Sequence, residues 1–106
     1  SDQTLGINTR MDLARINQII YQRNNQHFMQ EGVTLLDPST TFIDATVTIG
    51  RDTEIYPFSI ISGHSVIGQN CRIGPHAVIQ DSVLADHTVV LPFEHIVNRA
   101  HVTANR

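Results

Sequence analysis

The sequence has no lysine, and all seven of its cationic side chains are arginines. Its formal net charge is -3 at pH 7, and its sequence pI is about 6.0. A nucleic-acid surface needs clustered cations, so this balance argues against nucleic acid as a partner. The single cysteine, Cys71, excludes an internal disulfide, which is typical of a reducing compartment.

Long apolar runs are also missing. No stretch approaches the roughly 20 residues that span a bilayer, and no signal-peptide pattern opens the chain. We therefore expect a cytoplasmic protein without a membrane partner. The first residue is Ser1 and not methionine, which favours the interior of a longer polypeptide.

An isoleucine ladder with a period of six occupies the middle of the chain. Its members are Ile43, Ile49, Ile55, Ile61, Ile67, Ile73 and Ile79. This period fits neither a helix nor a simple half-buried strand, but it fits a short strand and a corner repeated as a solenoid. Mostly small residues follow four places later: Val47, Thr53, Ser59, Ser65, Cys71 and Ala77. After Ile79 the phase slips by one residue, and the less strict rungs are Leu84, Val90, Ile96 and Val102.

The prolines indicate how many six-residue repeats make one turn of the solenoid. Pro57, Pro75 and Pro92 all hold the third place of their six-residue repeat, which predicts that three such repeats make one coil. Proline suits such corners because its φ is fixed and its missing N–H is tolerated there. The residues that follow them, Phe58, His76 and Phe93, should then lie above one another at one corner. We expect a triangular prism of parallel β-structure.

A helix is predicted before the ladder. Thr9 is placed to cap its start and Gly32 to end it. Leu13, Ile16, Ile20 and His27 form one thin stripe, whereas Gln18, Gln22, Asn25 and Gln26 should face elsewhere. Because the stripe is thin, we interpret the helix as an arm that lies on something else and not as a buried core element. Leu36, two places before Pro38, is the predicted opening rung.

The six-residue pattern resembles the hexapeptide-repeat proteins, which implies a left-handed parallel β-helix. Several segments, in this order and spacing, resemble the middle of the bacterial bifunctional N-acetylglucosamine-1-phosphate uridyltransferase / glucosamine-1-phosphate N-acetyltransferase. They are residues 6–10, Leu13 with Ala14, 32–38, 49–53 and 81–83. The resemblance implies that residues 1–32 are the end of the nucleotidyltransferase domain and a linker helix. Residues 33–106 would be about four coils of the β-helix.

One site residue is implied by this resemblance. Asn8 matches the family asparagine that helps hold Mg²⁺ and the sugar nucleotide. The alternative interpretation is that Asn8 is only a turn residue before Thr9. The family's aspartate and nucleotide loop lie upstream of this chain, and its acetyltransferase residues, a lysine among them, come from later coils. Mg²⁺ and acetyl-CoA therefore belong to the parent family, and we expect neither to bind this chain tightly. We expect no catalysis from the chain alone.

Two other functions stay open. The chain could be a structural module that joins domains and assembles subunits without catalysis. A zinc-dependent hexapeptide enzyme is the third possibility, but the closest histidines on the ladder, His95 and His101, should lie on different faces. Cys71, at a small inward position, is predicted to be part of the core.

We also expect a homotrimer. Ile60, Val66 and Val78 hold the sixth place of their six-residue repeats, where they should form an exposed apolar patch along one side. The hexapeptide family packs three β-helices about a threefold axis, and closed cyclic symmetry suits such a surface. The sugar phosphate and nucleotide would bind only in the full-length enzyme.

Overall fold

The computed structural model describes residues 9–102. One helix, α1 (Arg10–Gln30), precedes eleven short strands. The strands are β1 (Thr34–Leu35), β2 (Phe42–Ile43), β3 (Thr48–Ile49), β4 (Glu54–Ile55), β5 (Ile60–Ser62), β6 (Val66–Ile67), β7 (Arg72–Ile73), β8 (Val78–Gln80), β9 (Val83–Leu84), β10 (Val89–Val90) and β11 (His95–Val97). A 3-10 turn at Pro38–Thr40 separates β1 from β2.

The strands stack in parallel into a three-sided β-solenoid, as predicted. The three sheets have the orders β1-β4-β7-β10, β2-β5-β8-β11 and β3-β6-β9, and a parallel bridge between Leu84 and Val102 extends the third. Three strands therefore make one coil, and the described residues make four coils. Among residues 9–102, no helix is both long and apolar enough to cross a membrane.

The isoleucine ladder fills the interior. Six of its seven members are no more than 1 % exposed, and Ile49, in the first coil, is 9 % exposed. The small residues predicted beside them are buried as well. Since burying one isoleucine side chain contributes about 1.5–3 kcal/mol, this ladder is the main source of stability in the coils.

The coils differ in their number of residues, but corresponding residues of successive coils still point into the core. Ile43 pairs with Ile61 and Ile61 with Ile79, each 18 residues apart, whereas Ile79 pairs with Ile96, 17 residues apart. The missing residue lies at the corner between β8 and β9, where Asp81 has a φ of 48°. The predicted slip after Ile79 is confirmed.

The opening rung was predicted one residue too late. Leu35 is buried and pairs with Ile55, whereas Leu36 is 49 % exposed. The first coil has two extra residues at this corner, which the 3-10 turn takes up. Leu36 and Pro38 therefore do not hold the first and third places of a repeat, as the corresponding residues of the later coils do.

Both ends of α1 agree with the sequence. The Thr9 side chain accepts a hydrogen bond from the Asp12 N–H at 3.1 Å, and Gly32, with a φ of 95°, follows the last turn. The contact with the coils does not use the predicted stripe, however. Leu13, Ile16 and Ile20 are 37–48 % exposed, and the helix instead buries Asn25 and Phe28.

Candidate assembly site

Three rows of outward side chains define the faces of the prism. Face 1 carries Thr34, Glu54, Arg72 and Val89; face 2 carries Phe42, Ile60, Val78 and His95; face 3 carries Thr48, Val66 and Val83. In each strand the next residue points into the core, because side chains alternate along a strand. These faces are what the coils offer to a partner.

The apolar surface is divided between faces 2 and 3. Ile60 and Val78 pair on face 2, but Val66 lies on face 3 beside Val83. The prediction that Ile60, Val66 and Val78 share one side is therefore wrong, since only residues one full coil apart share a face. Phe42 extends face 2 at the first coil and is 39 % exposed. Two adjoining faces thus expose large apolar side chains.

Face 1 is more polar. Arg72 and Glu54 stand opposite each other on neighbouring strands, with Nε and Oε1 3.7 Å apart. Both side chains are well exposed to solvent, so this ion pair adds at most about 1 kcal/mol to stability. Face 1 is thus suited to remain in water.

An aromatic corner joins faces 1 and 2. The rings of Phe58 and His76 stack with centroids 4.9 Å apart, and those of His76 and Phe93 with centroids 4.7 Å apart. The predicted column is confirmed. All three residues have a φ between 58° and 64°, a conformation that costs a side chain roughly 1–2 kcal/mol. Stacking and the hydrogen bonds between coils, such as Phe93 N–H to Pro75 O at 3.0 Å, offset this cost.

The second part of the site is the junction between α1 and the first coil. The Asn24 amide donates to Ile43 O at 2.8 Å. The Asn25 amide donates to both Pro38 O and Thr41 O at 2.9 Å. The end of a solenoid presents open backbone groups that need a cover, and these two asparagines cover three carbonyls of the first coil. Phe28, 4 % exposed, packs in the same core cluster as the first rungs.

Tyr21 fixes the outer end of this junction. Its ring meets Phe42 edge to face, with centroids 5.5 Å apart. Its hydroxyl donates to Asp44 Oδ1 at 3.3 Å. Burial, and then the negative charge of Asp44, raise the pKa of Tyr21 above its ordinary value, so the hydroxyl is a neutral donor at neutral pH. The contacts from Tyr21 to Phe28 hold the helix in one orientation on the coils.

Sequence reasoning missed Asn25, which it placed on the face away from the contact. The residue is 2 % exposed. Its Oδ1 has no hydrogen-bond partner among the described residues, while its amide nitrogen uses both protons on carbonyls. The available signal was the pair Asn24 and Asn25 inside a helix, where asparagine is a poor choice unless its side chain has a specific partner.

The remaining candidate residues fall into three cases. Asn8 lies outside the described residues. Within residues 9–102, no three histidine, cysteine, aspartate or glutamate side chains come close enough to hold a metal ion, and His76 is part of the aromatic corner. Cys71 is buried in the core as predicted, and burial raises the pKa of its thiol.

Comparisons with known proteins agree with this architecture. The six-repeat family model of the bacterial transferase hexapeptide matches residues 46–81. A bifunctional protein GlmU of an Exiguobacterium species is 39% identical over 98% of this chain. The GlmU proteins of Levilactobacillus brevis and Syntrophomonas wolfei are 46% and 47% identical over 84% and 80% of it.

The chain is homologous to one segment of GlmU. It spans only 27% of the Exiguobacterium GlmU and 19% of the other two. In this chain, the matching residues fold into a helix followed by hexapeptide coils.

Proposed function

We propose that this chain is the arm and scaffold segment of a GlmU-like bifunctional enzyme of UDP-N-acetylglucosamine synthesis. In the family that the sequence resembles, acetyl transfer from acetyl-CoA to glucosamine-1-phosphate is followed by uridylyl transfer from UTP. The segment would connect the two catalytic parts. The observation that carries this proposal is the fixed junction, where Asn24 and Asn25 bind three carbonyls of the first coil. A fixed arm keeps two catalytic parts in a constant relation, which a flexible linker would not do.

We assign no chemistry to the described residues themselves. Within residues 9–102, no three histidine, cysteine, aspartate or glutamate side chains come together, and the groove between α1 and the first coil is lined without any cation that could meet the phosphates of acetyl-CoA. Uridyltransfer or CoA release above the blank, with this chain as the sole protein, would contradict this part of the proposal. We expect the enzyme to work in the cytoplasm.

A chimera tests the connecting role directly. In the Levilactobacillus GlmU, the segment matched by this chain would be replaced by the corresponding residues of this chain. We expect both activities to persist. A chimera in which Asn24 and Asn25 are alanine should keep the folded coils but lose activity, because the arm is no longer fixed. Equal activity of the two chimeras would show that the junction is not the functional feature.

Assembly into a homotrimer is the second part of the proposal. A closed threefold ring needs two different patches on each subunit that bind each other. Faces 2 and 3, with Ile60 and Val78 on one and Val66 and Val83 on the other, supply such a pair at one corner of the prism. Light scattering should give three times the 11.8 kDa chain mass. Ile60→Glu with Val66→Glu should give monomers, whereas Thr34→Glu on face 1 should leave the trimer intact.

A stand-alone trimerisation module without catalysis is the alternative, since the same surfaces would serve it. The length of the natural gene product separates the two. A product roughly four times as long as this chain, as the 27% share of its relative implies, supports the enzyme. A natural product of 106 residues supports the module.

A further inference from the structure

An open groove of about 490 Å³ lies between α1 and the first coil. Its volume falls within the range of small-molecule sites, which is roughly 300–1,000 Å³. One wall is α1 from Gln18 to Met29, and the other is formed by residues 38–42. The hydrogen bonds from Asn24 and Asn25 to the first coil hold the two walls together. Both walls belong to one chain, so the groove is present in a single subunit.

The helix wall of the groove is a row of amide side chains. Gln18, Gln22, Asn25 and Gln26 all line the groove. At 3.6 residues per turn, these four positions fall within an arc of about 100° on one side of α1. An amide carries one acceptor oxygen and two N–H donors, and the three glutamines are exposed. The polar side chains that lie off the hydrophobic stripe therefore form a wall that can both donate and accept without carrying charge.

The opposite wall adds apolar surface and a hydroxyl. Phe42 is 39 % exposed, and Tyr21 meets its ring edge to face. The exposed Ser39 hydroxyl donates to Asp37 Oδ1 at 2.7 Å, so its oxygen can still accept a hydrogen bond. Among the residues that the structure describes, no charged side chain lines the groove. A phosphate or carboxylate would lose water there without meeting an opposite charge, which favours a neutral ligand.

Asn25 brings to the groove an acceptor that lacks a donor. The residue is 2 % exposed, and its Oδ1 has no hydrogen-bond partner among the described residues. The amide cannot turn over, because Oδ1 would then face the carbonyl oxygens of Pro38 and Thr41 that its nitrogen now binds. Since the oxygen and the nitrogen lie on opposite sides of the amide carbon, Oδ1 points away from those carbonyls. A buried acceptor without a donor is destabilising, and a donor that enters the groove would relieve this.

We propose that the groove binds a neutral polyhydroxylated molecule, namely a sugar of one or two rings without phosphate or carboxylate. Each sugar hydroxyl can both donate and accept, which matches the amide wall. One hydroxyl would donate to Asn25 Oδ1, and the C–H face of a sugar ring would pack against Phe42. Binding needs neither the proposed trimer nor the parent enzyme, since one chain supplies both walls.

Side-chain amide signals in NMR spectra measure binding at the groove. The isotope-labelled chain would be titrated with trehalose and with sucrose, and each sugar would be compared with its phosphorylated form. We expect saturable shifts of the Asn25 and Gln22 amide signals with a neutral sugar, while the signal of Gln69, at an outer corner, stays in place. The phosphorylated form should bind at least tenfold more weakly. Absence of saturable shifts with both neutral sugars, or equal binding of the phosphorylated forms, would overturn the proposal.

Substitutions of Gln22 test the amide wall. Gln22→Ala should raise the dissociation constant of the sugar at least fivefold, because it removes an amide from the wall. Gln30→Ala is the matched control, since Gln30 is another exposed glutamine of α1 that does not line the groove. Both variants should keep the midpoint of thermal unfolding. Equal sugar binding by the two variants would contradict the site. Gln22→Arg adds a cation and should shift the preference towards the phosphorylated sugar, and an unchanged preference would count against the groove.

An extended peptide is the competing occupant of the groove. A neutral peptide of glycine and serine that shifts the same amide signals at lower concentration than either sugar would overturn the sugar assignment. Shifts spread over signals on all faces of the prism would show non-specific effects of the sugar and would overturn the site itself.

Discussion

The coils and α1 are held by different kinds of contact. The coils enclose aliphatic rungs beside small serine, threonine and cysteine side chains, whereas α1 buries Asn25 beside Phe28 and leaves Leu13, Ile16 and Ile20 exposed. Each coil finds its partner in the next coil, so apolar burial alone is enough to stack them. The helix must recognise one particular coil end, and hydrogen bonds to named carbonyls supply that specificity.

The strongest way to break the coils is a charge inside the ladder. Ile67→Asp places an unpaired carboxylate between two stacked coils at a position that is 1 % exposed. We expect a loss of more than about 4 kcal/mol, which is enough to unfold a domain of this size. Gln69→Ala, at an exposed corner of the same coil, should leave the midpoint of thermal unfolding unchanged. Equal midpoints for the two variants would refute the ladder as the source of stability.

Removing the amide of Asn25 should affect the helix and spare the coils. Asn25→Ala removes the side-chain donor to the carbonyls of Pro38 and Thr41, although Pro38 O keeps the Thr41 N–H, and we expect a cost of about 1–3 kcal/mol. Hydrogen exchange should then show faster exchange along α1 and unchanged protection in β5 and β8. Gln26→Ala, the exposed neighbour, is the control. Loss of protection throughout the coils would mean that helix and coils unfold as one unit.

The aromatic corner is a smaller test within the coils. His76→Asn keeps a residue that tolerates a positive φ but removes the ring that stacks on both Phe58 and Phe93. Two stacked pairs predict a loss of about 1–2 kcal/mol in unfolding free energy. His87→Asn is the matched control, because His87 has a φ of 65° and no ring partner in the described part of the chain. Equal losses in both variants would show that stacking contributes nothing.

Cys71 should give the smallest effect on stability. Serine holds the corresponding inward place at Ser59 and Ser65, so Cys71→Ser should change the unfolding free energy by less than about 1.5 kcal/mol. The thiol has a raised pKa in the folded protein. Its contribution is therefore fully present below the unfolded pKa, about 8.5, and is lost as the pH rises above it.

Thiol labelling and denaturation between pH 7 and pH 10 check this prediction. Labelling of native Cys71 should be much slower than that of unfolded chain, and the decline in stability at alkaline pH should be smaller in Cys71→Ser. Rapid labelling of the native protein would contradict the buried position.

The periodic parts of the structure could be predicted because each position repeats its environment. Ile43 to Ile79, the slip before Leu84 and the stacked corner all follow from spacing alone. The division of Ile60 and Val66 between two faces could also have been deduced, since residues six apart on a three-sided coil face different ways. The prediction failed there because it considered only the position of each residue within its six-residue repeat. It did not consider which of the three repeats of a coil carries the residue.

The junction could not be predicted from periodicity. Asn25 is polar and lies among other polar residues of α1. A search for a hydrophobic stripe therefore does not find the face of α1 that contacts the coils. Its role depends on carbonyls of Pro38 and Thr41 that the 3-10 turn presents, and that turn interrupts the repeat. The handedness of the coils and the domain boundary near residue 32 stay predictions from family resemblance.

The unequal coil lengths have a consequence for engineering. Successive inward partners are 20 residues apart from Leu35 to Ile55, 18 from Ile43 to Ile61 and 17 from Ile79 to Ile96. The difference is absorbed at corners, where the chain meets solvent, so a lengthened corner does not disturb the core. A foreign loop is therefore best grafted at a corner that α1 does not contact, because Asn25 binds Pro38 O and Thr41 O at the Pro38–Thr40 turn; the stacked coils beneath such a corner would hold the loop rigidly.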